Sequence, residues 1–249
     1  MTERPYWPYP RILAHRGGGL LAPENTLAAL RYARNLGFEG VEFDVKLTAD
    51  DVPVLFHDDT LDRTTDGNGP IADVLFDVVT QLDAGSWFAN EFAGDPVPAF
   101  AAASALCKET GLWANVEIKP CPGRERETGR IVARMAKLLW SGATPLPLLS
   151  SFSTEALLAA QTEASDLPRA LVCDEIPDDW EQALDQLDCV SLHVRFDRLN
   201  TNSVAAIQAT RRGVLAYTVN DPLDAVDLIE MGVDALVTDQ IDVIGPHFA

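Results

Sequence analysis

His15 and Arg16 stand where an apolar segment, Arg11-Ile12-Leu13-Ala14, runs into the glycine run Gly17-Gly18-Gly19, followed by Pro23-Glu24-Asn25-Thr26 and a helical pattern. A second histidine, His57, ends the apolar run Pro53-Val54-Leu55-Phe56 and is followed by Asp58. An imidazole titrates near neutrality, and each of these ends a strand-like segment beside charged or glycine-rich neighbours. Taken singly, each reads as a structural histidine. Paired at one mouth of a sheet, they make an acid and a base suited to neutral pH.

Two alternating segments, Val41-Glu42-Phe43-Asp44-Val45 and Asn115-Val116-Glu117-Ile118-Lys119, carry charges inside otherwise apolar strands. Residues two apart share a strand face, so Glu42 points with Asp44, and Glu117 with Lys119. Three carboxylates brought together repel one another unless a divalent cation joins them. All-oxygen ligation favours Mg²⁺, Ca²⁺ or Mn²⁺ over zinc. The other reading of the same acids is ion pairing with Arg16 and Lys119, and the two readings are compatible. Arg16 and Lys119 supply the local positive charge that an anion needs, and beside a hard metal they point to phosphoryl chemistry. Glu24 either supports that site or serves as a dipole partner in the first turn of its helix. His193, in mid-strand, reads as core or pocket wall, and His247 as surface.

The composition narrows the class. The 249 residues, 47% hydrophobic, suffice to bury a large core, and the net charge of −19 argues against nucleic acid and against an anionic membrane as partners. Cys107, Cys121, Cys173 and Cys189 have neither zinc-site nor disulfide-framework spacing, which fits reduced thiols and a cytoplasmic location. The first ten residues hold three prolines and no apolar stretch of a secretory signal. The most apolar helix-like stretch, 131–140, is too short to span a bilayer and is interrupted by Arg134 and Lys137.

These residues need a scaffold that delivers strand ends to one place. Strand patterns near 11–14, 41–47, 113–118, 147–152, 169–173, 189–194, 214–219 and 234–238 alternate with helical patterns over 25–36, 99–110, 125–140, 154–163, 178–186, 203–212 and 222–231. Gly37, Gly111, Gly213 and Gly232 read as helix stops. The alternation predicts an α/β fold, a TIM (β/α)₈ barrel of parallel strands over 1–249 as a single domain, with a small insertion after the second strand region at about 58–98. A doubly wound sheet is the alternative, although no G-x-G-x-x-G follows the first strand. The periodicity leaves the oligomeric state open.

In order, His15-Arg16-Gly17, Pro23-Glu24-Asn25-Thr26, Glu42-x-Asp44, Pro53-Val54-x-x-His57-Asp58, Leu61-x-Arg63-Thr64-Thr65, Glu117-x-Lys119, Thr218-Val219-Asn220 and Gly232-Val233-Asp234 closely resemble the glycerophosphodiester phosphodiesterase family. The resemblance runs from about residue 11 to 240. It implies a TIM barrel that hydrolyses small-molecule glycerophosphodiesters to sn-glycerol 3-phosphate and an alcohol, with one divalent cation as cofactor. Matched by position, Glu42, Asp44 and Glu117 resemble the family's metal ligands, His15 and His57 its catalytic pair, and Arg16 and Lys119 its phosphate-binding cations. The stretch after His57 corresponds to the family's insertion.

The resemblance implies one of two routes: attack by the glycerol 2-hydroxyl, giving a cyclic phosphate that water then opens, or direct attack by water. One departure stands out, because the position before Thr218-Val219-Asn220, often Trp in the family, is Tyr217. Tyr keeps the aromatic face and adds a hydroxyl, which bears on head-group preference. Phe152 either lines the same pocket or packs in the core. Competing functions are a lysophospholipase D-like or phospholipase C-like barrel phosphodiesterase, which the missing basic patch disfavours, and a non-catalytic phosphoglycerol-binding module, which would not need a matched pair of histidines.

Overall fold

Period-2 sorting in a run of parallel strands builds the molecule, a computed structural model that describes residues 7–248. Met1–Tyr6, part of the opening segment read above as lacking a signal's apolar stretch, lie outside the described residues. The elements in chain order are β1 (Ile12–Ala14), α1 (Leu27–Asn35), β2 (Gly40–Leu47), β3 (Pro53–Leu55), α2 (Phe76–Val79), α3 (Phe100–Thr110), β4 (Trp113–Ile118), α4 (Glu125–Leu139) and β5 (Leu148–Ser151). They continue as α5 (Thr154–Glu163), β6 (Arg169–Cys173), α6 (Trp180–Gln186), β7 (Ser191–Arg195), α7 (Thr201–Ala209), β8 (Gly213–Tyr217), α8 (Pro222–Met231) and β9 (Ala235–Thr238). The strands are hydrogen-bonded in the order β1-β9-β8-β7-β6-β5-β4-β2, and pairing of β1 with β2 closes the barrel. All of these pairs are parallel, as the alternation predicts. β3 is outside the barrel and pairs antiparallel with β2, so the run before His57 is the return arm of a hairpin.

Each strand sends alternate residues to opposite sides. Val41, Phe43 and Val45 of β2 join the core between barrel and helices. Residues of the other parity enter the lumen, and their chemistry is graded along the axis. At the N-terminal end Leu13, Trp113, Leu148 and Leu215 form an apolar cluster, closed off by Tyr9 stacked on Trp113 with ring centroids 4.3 Å apart. One step further toward the C-terminal ends polar groups enter the lumen, where His15, Asn115, Glu117, Ser150, His193 and Tyr217 line a small cavity together with Val172, Leu215 and Val237. The charged residues of β2 are therefore directed to one end of a barrel whose other end is plugged.

Helix ends differ from the sequence expectation in informative ways. α1 begins at Leu27 because the Thr26 hydroxyl caps it, accepting from the Ala29 N–H, so Asn25 is a loop residue and not a helical one. Glu24 thus precedes the helix, and no acidic residue occupies the first turn of α1. Gly111 and Gly232 end α3 and α8 in the left-handed conformation, whereas Gly213 opens β8 and α7 ends at Ala209. The strand read as 214–219 stops at Tyr217.

Between β3 and α3 the chain packs a small core of its own, with Val54, Phe56, Leu61, Ile71, Val79 and Val97. Asp83 organises this segment, its carboxylate accepting from the N–H groups of Gly85, Ser86 and Gly94 and from the Ser86 hydroxyl. Those donors, led by the Ser86 hydroxyl, hold the Asp83 carboxyl far below the usual range. Among the described residues no helix is long and apolar enough to cross a membrane.

Candidate active site

The parallel register of β2 and β4 sets Glu42 opposite Asn115 and Asp44 opposite Glu117. Ligand oxygens of Glu42, Asp44 and Glu117 consequently lie within 4.8 Å of one another. Lys119 is tied to β2 by its own N–H, which donates to the Val45 carbonyl at 3.0 Å. Its Nζ donates to Glu117 Oε1 at 2.8 Å and sits 3.4 Å from Asp44 Oδ1. Arg16, at φ +48, directs its backbone N–H to Glu42 Oε2 at 3.0 Å and its Nη1 to Glu24 Oε1 at 2.7 Å. Its Nε, 3.6 Å from Asp44 Oδ2, is buried and lacks a hydrogen-bond partner.

The electrostatics follow from burial among unlike charges. Glu42 is pushed up to about 8, chiefly by burial and then by Asp44. Burial also acts against Asp44, but Lys119 and Arg16 outweigh it and hold that carboxyl low. Glu117 is raised by burial and by Asp44 despite Lys119. Glu42 Oε1 is buried with no hydrogen-bond partner, so two resident cations do not satisfy the three acids. Hard oxygen donors, an orphaned carboxylate oxygen and like-charge crowding fit a divalent cation held by Glu42, Asp44 and Glu117.

Both histidines are tethered through Nδ1 to a carboxylate. His15, directly after β1, donates from Nδ1 to Asp239 Oδ1 at 2.6 Å, with Nε2 3.8 Å from Glu42 Oε2. Burial works to lower His15, yet the Asp239 bond and the Glu42 charge leave it above its ordinary value. His57 donates from Nδ1 to Asp58 Oδ1 at 2.7 Å. Burial is the main influence on His57 and leaves it below its ordinary value, Lys119 and Arg16 adding to the effect. Each tether leaves Nε2 as the nitrogen available for proton transfer.

Phe152 is 42% exposed at the rim and not in the core. Its ring meets Tyr217 edge to face, with centroids 5.9 Å apart, and Lys119 Nζ lies 5.4 Å from its centroid. The Tyr217 hydroxyl donates to Asp174 Oδ1 at 3.3 Å. Glu24 is bonded by Arg16 and also by Arg63. His193 is buried in the lumen wall and His247 is exposed, both as read from sequence.

Several residues beyond those singled out from the sequence organise this cluster. Asn25, at φ +58, donates from Nδ2 to Asp44 Oδ2 at 2.9 Å and accepts from the Asp44 N–H at 3.0 Å. Asp239 accepts from Asn220 Nδ2 at 2.9 Å, and its own N–H returns to Asn220 Oδ1. Asp58 and Arg63 were legible only as letters of a motif. The available signal was position, since Asp239 directly follows a barrel strand at its C-terminal end, where site residues of such barrels collect.

The family model for the glycerophosphoryl diester phosphodiesterase family matches residues 15–243. The chain belongs to that family. It is 30% identical over 233 residues to a glycerophosphodiester phosphodiesterase of Caldanaerobacter subterraneus, covering 92% of this chain and 93% of that protein. A phosphodiesterase of Oleispira antarctica, solved in complex with the product sn-glycerol-3-phosphate, superposes with a TM-score of 0.89 at 38% identity over 95% of each chain. A glycerophosphodiester phosphodiesterase of Agrobacterium tumefaciens superposes at 0.80 with 26% identity, covering 94% of this chain and 98% of that one. This family member is thus a hydrolase, a glycerophosphodiester phosphodiesterase whose small-molecule substrates are glycerophosphodiesters.

Proposed function

We propose that this chain hydrolyses glycerophosphodiesters to sn-glycerol 3-phosphate and an alcohol with the help of one divalent cation, Mg²⁺ or Ca²⁺ and alternatively Mn²⁺, using His15 and His57 as proton carriers. The observation that carries the reading is the cluster of Glu42, Asp44 and Glu117 with ligand oxygens within 4.8 Å, between two carboxylate-tethered imidazoles. Such a cation, held by these acids, supplies positive charge for the phosphate and acidifies a bound hydroxyl.

The chain's own groups do the rest. Arg16, with an unpartnered Nε, and Lys119 bind phosphate oxygens and hold the phosphorus over the acids. His15 Nε2, on the Glu42 side, and His57 Nε2 are the two proton carriers: one removes the proton of the attacking hydroxyl, whether glycerol 2-hydroxyl or water, and the other delivers a proton to the departing alcohol. Phe152 and Tyr217 form the rim against which the organic part of the substrate rests. The barrel acts as one unit with the 58–98 segment as an insertion beside the site. Four unpaired thiols support a reducing, cytoplasmic setting.

The test is release of glycerol 3-phosphate from glycerophosphocholine and glycerophosphoethanolamine with Mg²⁺, Ca²⁺, Mn²⁺ or EDTA, for the native chain and His15→Ala. Metal-dependent release, lost with EDTA and in the variant, supports the proposal. A folded chain that binds glycerol 3-phosphate but releases none with any metal overturns it in favour of a binding module. A substrate lacking the 2-hydroxyl tests the route of attack: its cleavage excludes that hydroxyl as the nucleophile.

A further inference from the structure

Arg63 comes from the segment after β3, outside every barrel strand, and its guanidinium spans two carboxylates. Nε and Nη2 donate to Asp58 at 2.6 and 2.9 Å, while Nη1 and Nη2 donate to Glu24 at 2.7 and 2.8 Å. Each of those acids holds a second group. Asp58 Oδ1 accepts from His57 Nδ1 at 2.7 Å, and Glu24 Oε1 accepts from Arg16 Nη1 at 2.7 Å. An unbroken chain of charge-assisted hydrogen bonds therefore runs from His57 through Asp58, Arg63 and Glu24 to Arg16.

We propose that Arg63 is a positioning residue that sets the imidazole of His57 against the guanidinium of Arg16, and hence a proton carrier against the phosphate. This rests on the roles given to those two residues under the proposed function. His57 lies beyond β3, off the barrel, whereas Arg16 follows β1 within it, so no shared strand register relates them. A rigid planar fork that engages both oxygens of Asp58 and both of Glu24 supplies that relation. A carboxylate pinned at both oxygens can rotate neither itself nor the imidazole it holds.

Two further observations distinguish this role from others. Arg63 has already directed Nε, Nη1 and Nη2 to carboxylates, unlike Arg16 with its unpartnered Nε, which argues against Arg63 as a third phosphate ligand. The Arg63 side chain is also 45% exposed, and ion pairs so open to solvent contribute little to folding. What the bridge supplies is geometry.

The experiment compares the native chain with Arg63→Gln and Arg63→Lys in three readouts: kcat and KM for glycerophosphocholine with Mg²⁺, thermal midpoint, and ¹⁵N–¹H correlation of the His57 ring. Arg63→Gln is expected to lower kcat about 10- to 100-fold with a midpoint shift below about 4 °C, and to replace the single Nδ1–H tautomer of His57 by a mixture. Arg63→Lys keeps the charge but lacks the fork, so it recovers little. An unchanged kcat with an unchanged His57 tautomer overturns the proposal, and so does a loss of rate that merely tracks a large drop in the midpoint. If the native chain itself cleaves no glycerophosphodiester, the functional reading fails, while the His57 spectrum still decides whether Arg63 positions that ring.

Discussion

Asp239 is 224 positions from His15 in the chain, yet its Oδ1 lies 2.6 Å from His15 Nδ1. Closure of the barrel brings them together, since β9 pairs with β1 in parallel register and each residue directly follows its strand. Asp239 is itself fixed by Asn220 at its second oxygen and its N–H. Gly19, at φ +51, lets the loop after β1 pass against the Asp239 backbone, where a Cβ would overlap its carbonyl. A carboxylate held this firmly dictates which ring nitrogen of His15 carries the proton.

Asp239→Asn is therefore expected to preserve the fold and lower kcat about 10- to 100-fold, because an amide can present its NH₂ to the ring and favour the wrong tautomer. Steady-state kinetics beside a thermal melt check this. A rate within about twofold of native would show that the tether has no bearing on the reaction.

The orphaned Glu42 Oε1 makes a second prediction, about metal and stability together. Burial and Asp44 push the Glu42 carboxyl up to about 8, so near neutral pH the metal-free native chain holds it largely protonated at a cost to stability. Glu42→Gln, neutral at any pH, avoids that cost, and without metal its melting temperature should equal or exceed that of the native chain. Excess Mg²⁺ or Ca²⁺ should raise the native midpoint, by about 5–10 °C at a hundredfold excess over the dissociation constant, and raise that of Glu42→Gln much less. Equal shifts in the two proteins would remove Glu42 from the ligand set.

Much of this was legible in the sequence, for a physical reason. A barrel strand has period 2, so Glu42-x-Asp44 and Glu117-x-Lys119 announce a shared face wherever the strand lies. The register of β2 with β4 was not legible, yet it is what sets Asp44 opposite Glu117. The hairpin of β3 escaped the barrel count because a three-residue run carries no directional signal. Asn25 was lost inside a helical pattern, since Thr26 and not Asn25 caps α1, and a left-handed loop residue has no periodicity. Asp239 meets a partner 224 positions away, and Arg63 joins the nearby Asp58 to Glu24, 39 positions away; no period-2 or helical pattern encodes such contacts.

The outer layer makes a third prediction. Gly129 lies in α4 where it crosses the start of α5, and a Cβ there would overlap the carbonyl of Ala156. Alanine normally stabilises a helix relative to glycine by about 1 kcal/mol. Here the clash opposes that gain, and Gly129→Ala is expected to destabilise the chain by about 1–3 kcal/mol while leaving kcat unchanged below the melting range. Urea denaturation checks the sign, and a stabilised variant would mean that the two helices separate without cost.

His193 makes the last prediction. It is 1% exposed in the lumen wall, with Ser191 Oγ 3.2 Å from its Nε2, and burial pushes its pKa down to about 3. In the unfolded chain the ring titrates near 6.5, so below that pH the unfolded state takes up a proton that the native state refuses. The contribution of a neutral His193 is complete above about 6.5 and is lost as pH falls toward about 3, at roughly 1.4 kcal/mol per pH unit. His193→Gln cannot titrate and escapes this loss. The stability of His193→Gln relative to the native chain should therefore improve by about 2 kcal/mol between pH 7 and pH 5, the carboxylates common to both proteins cancelling in the comparison. Urea unfolding of both proteins at the two pH values measures it, and a difference that stays constant would mean that the native lumen admits a charged His193.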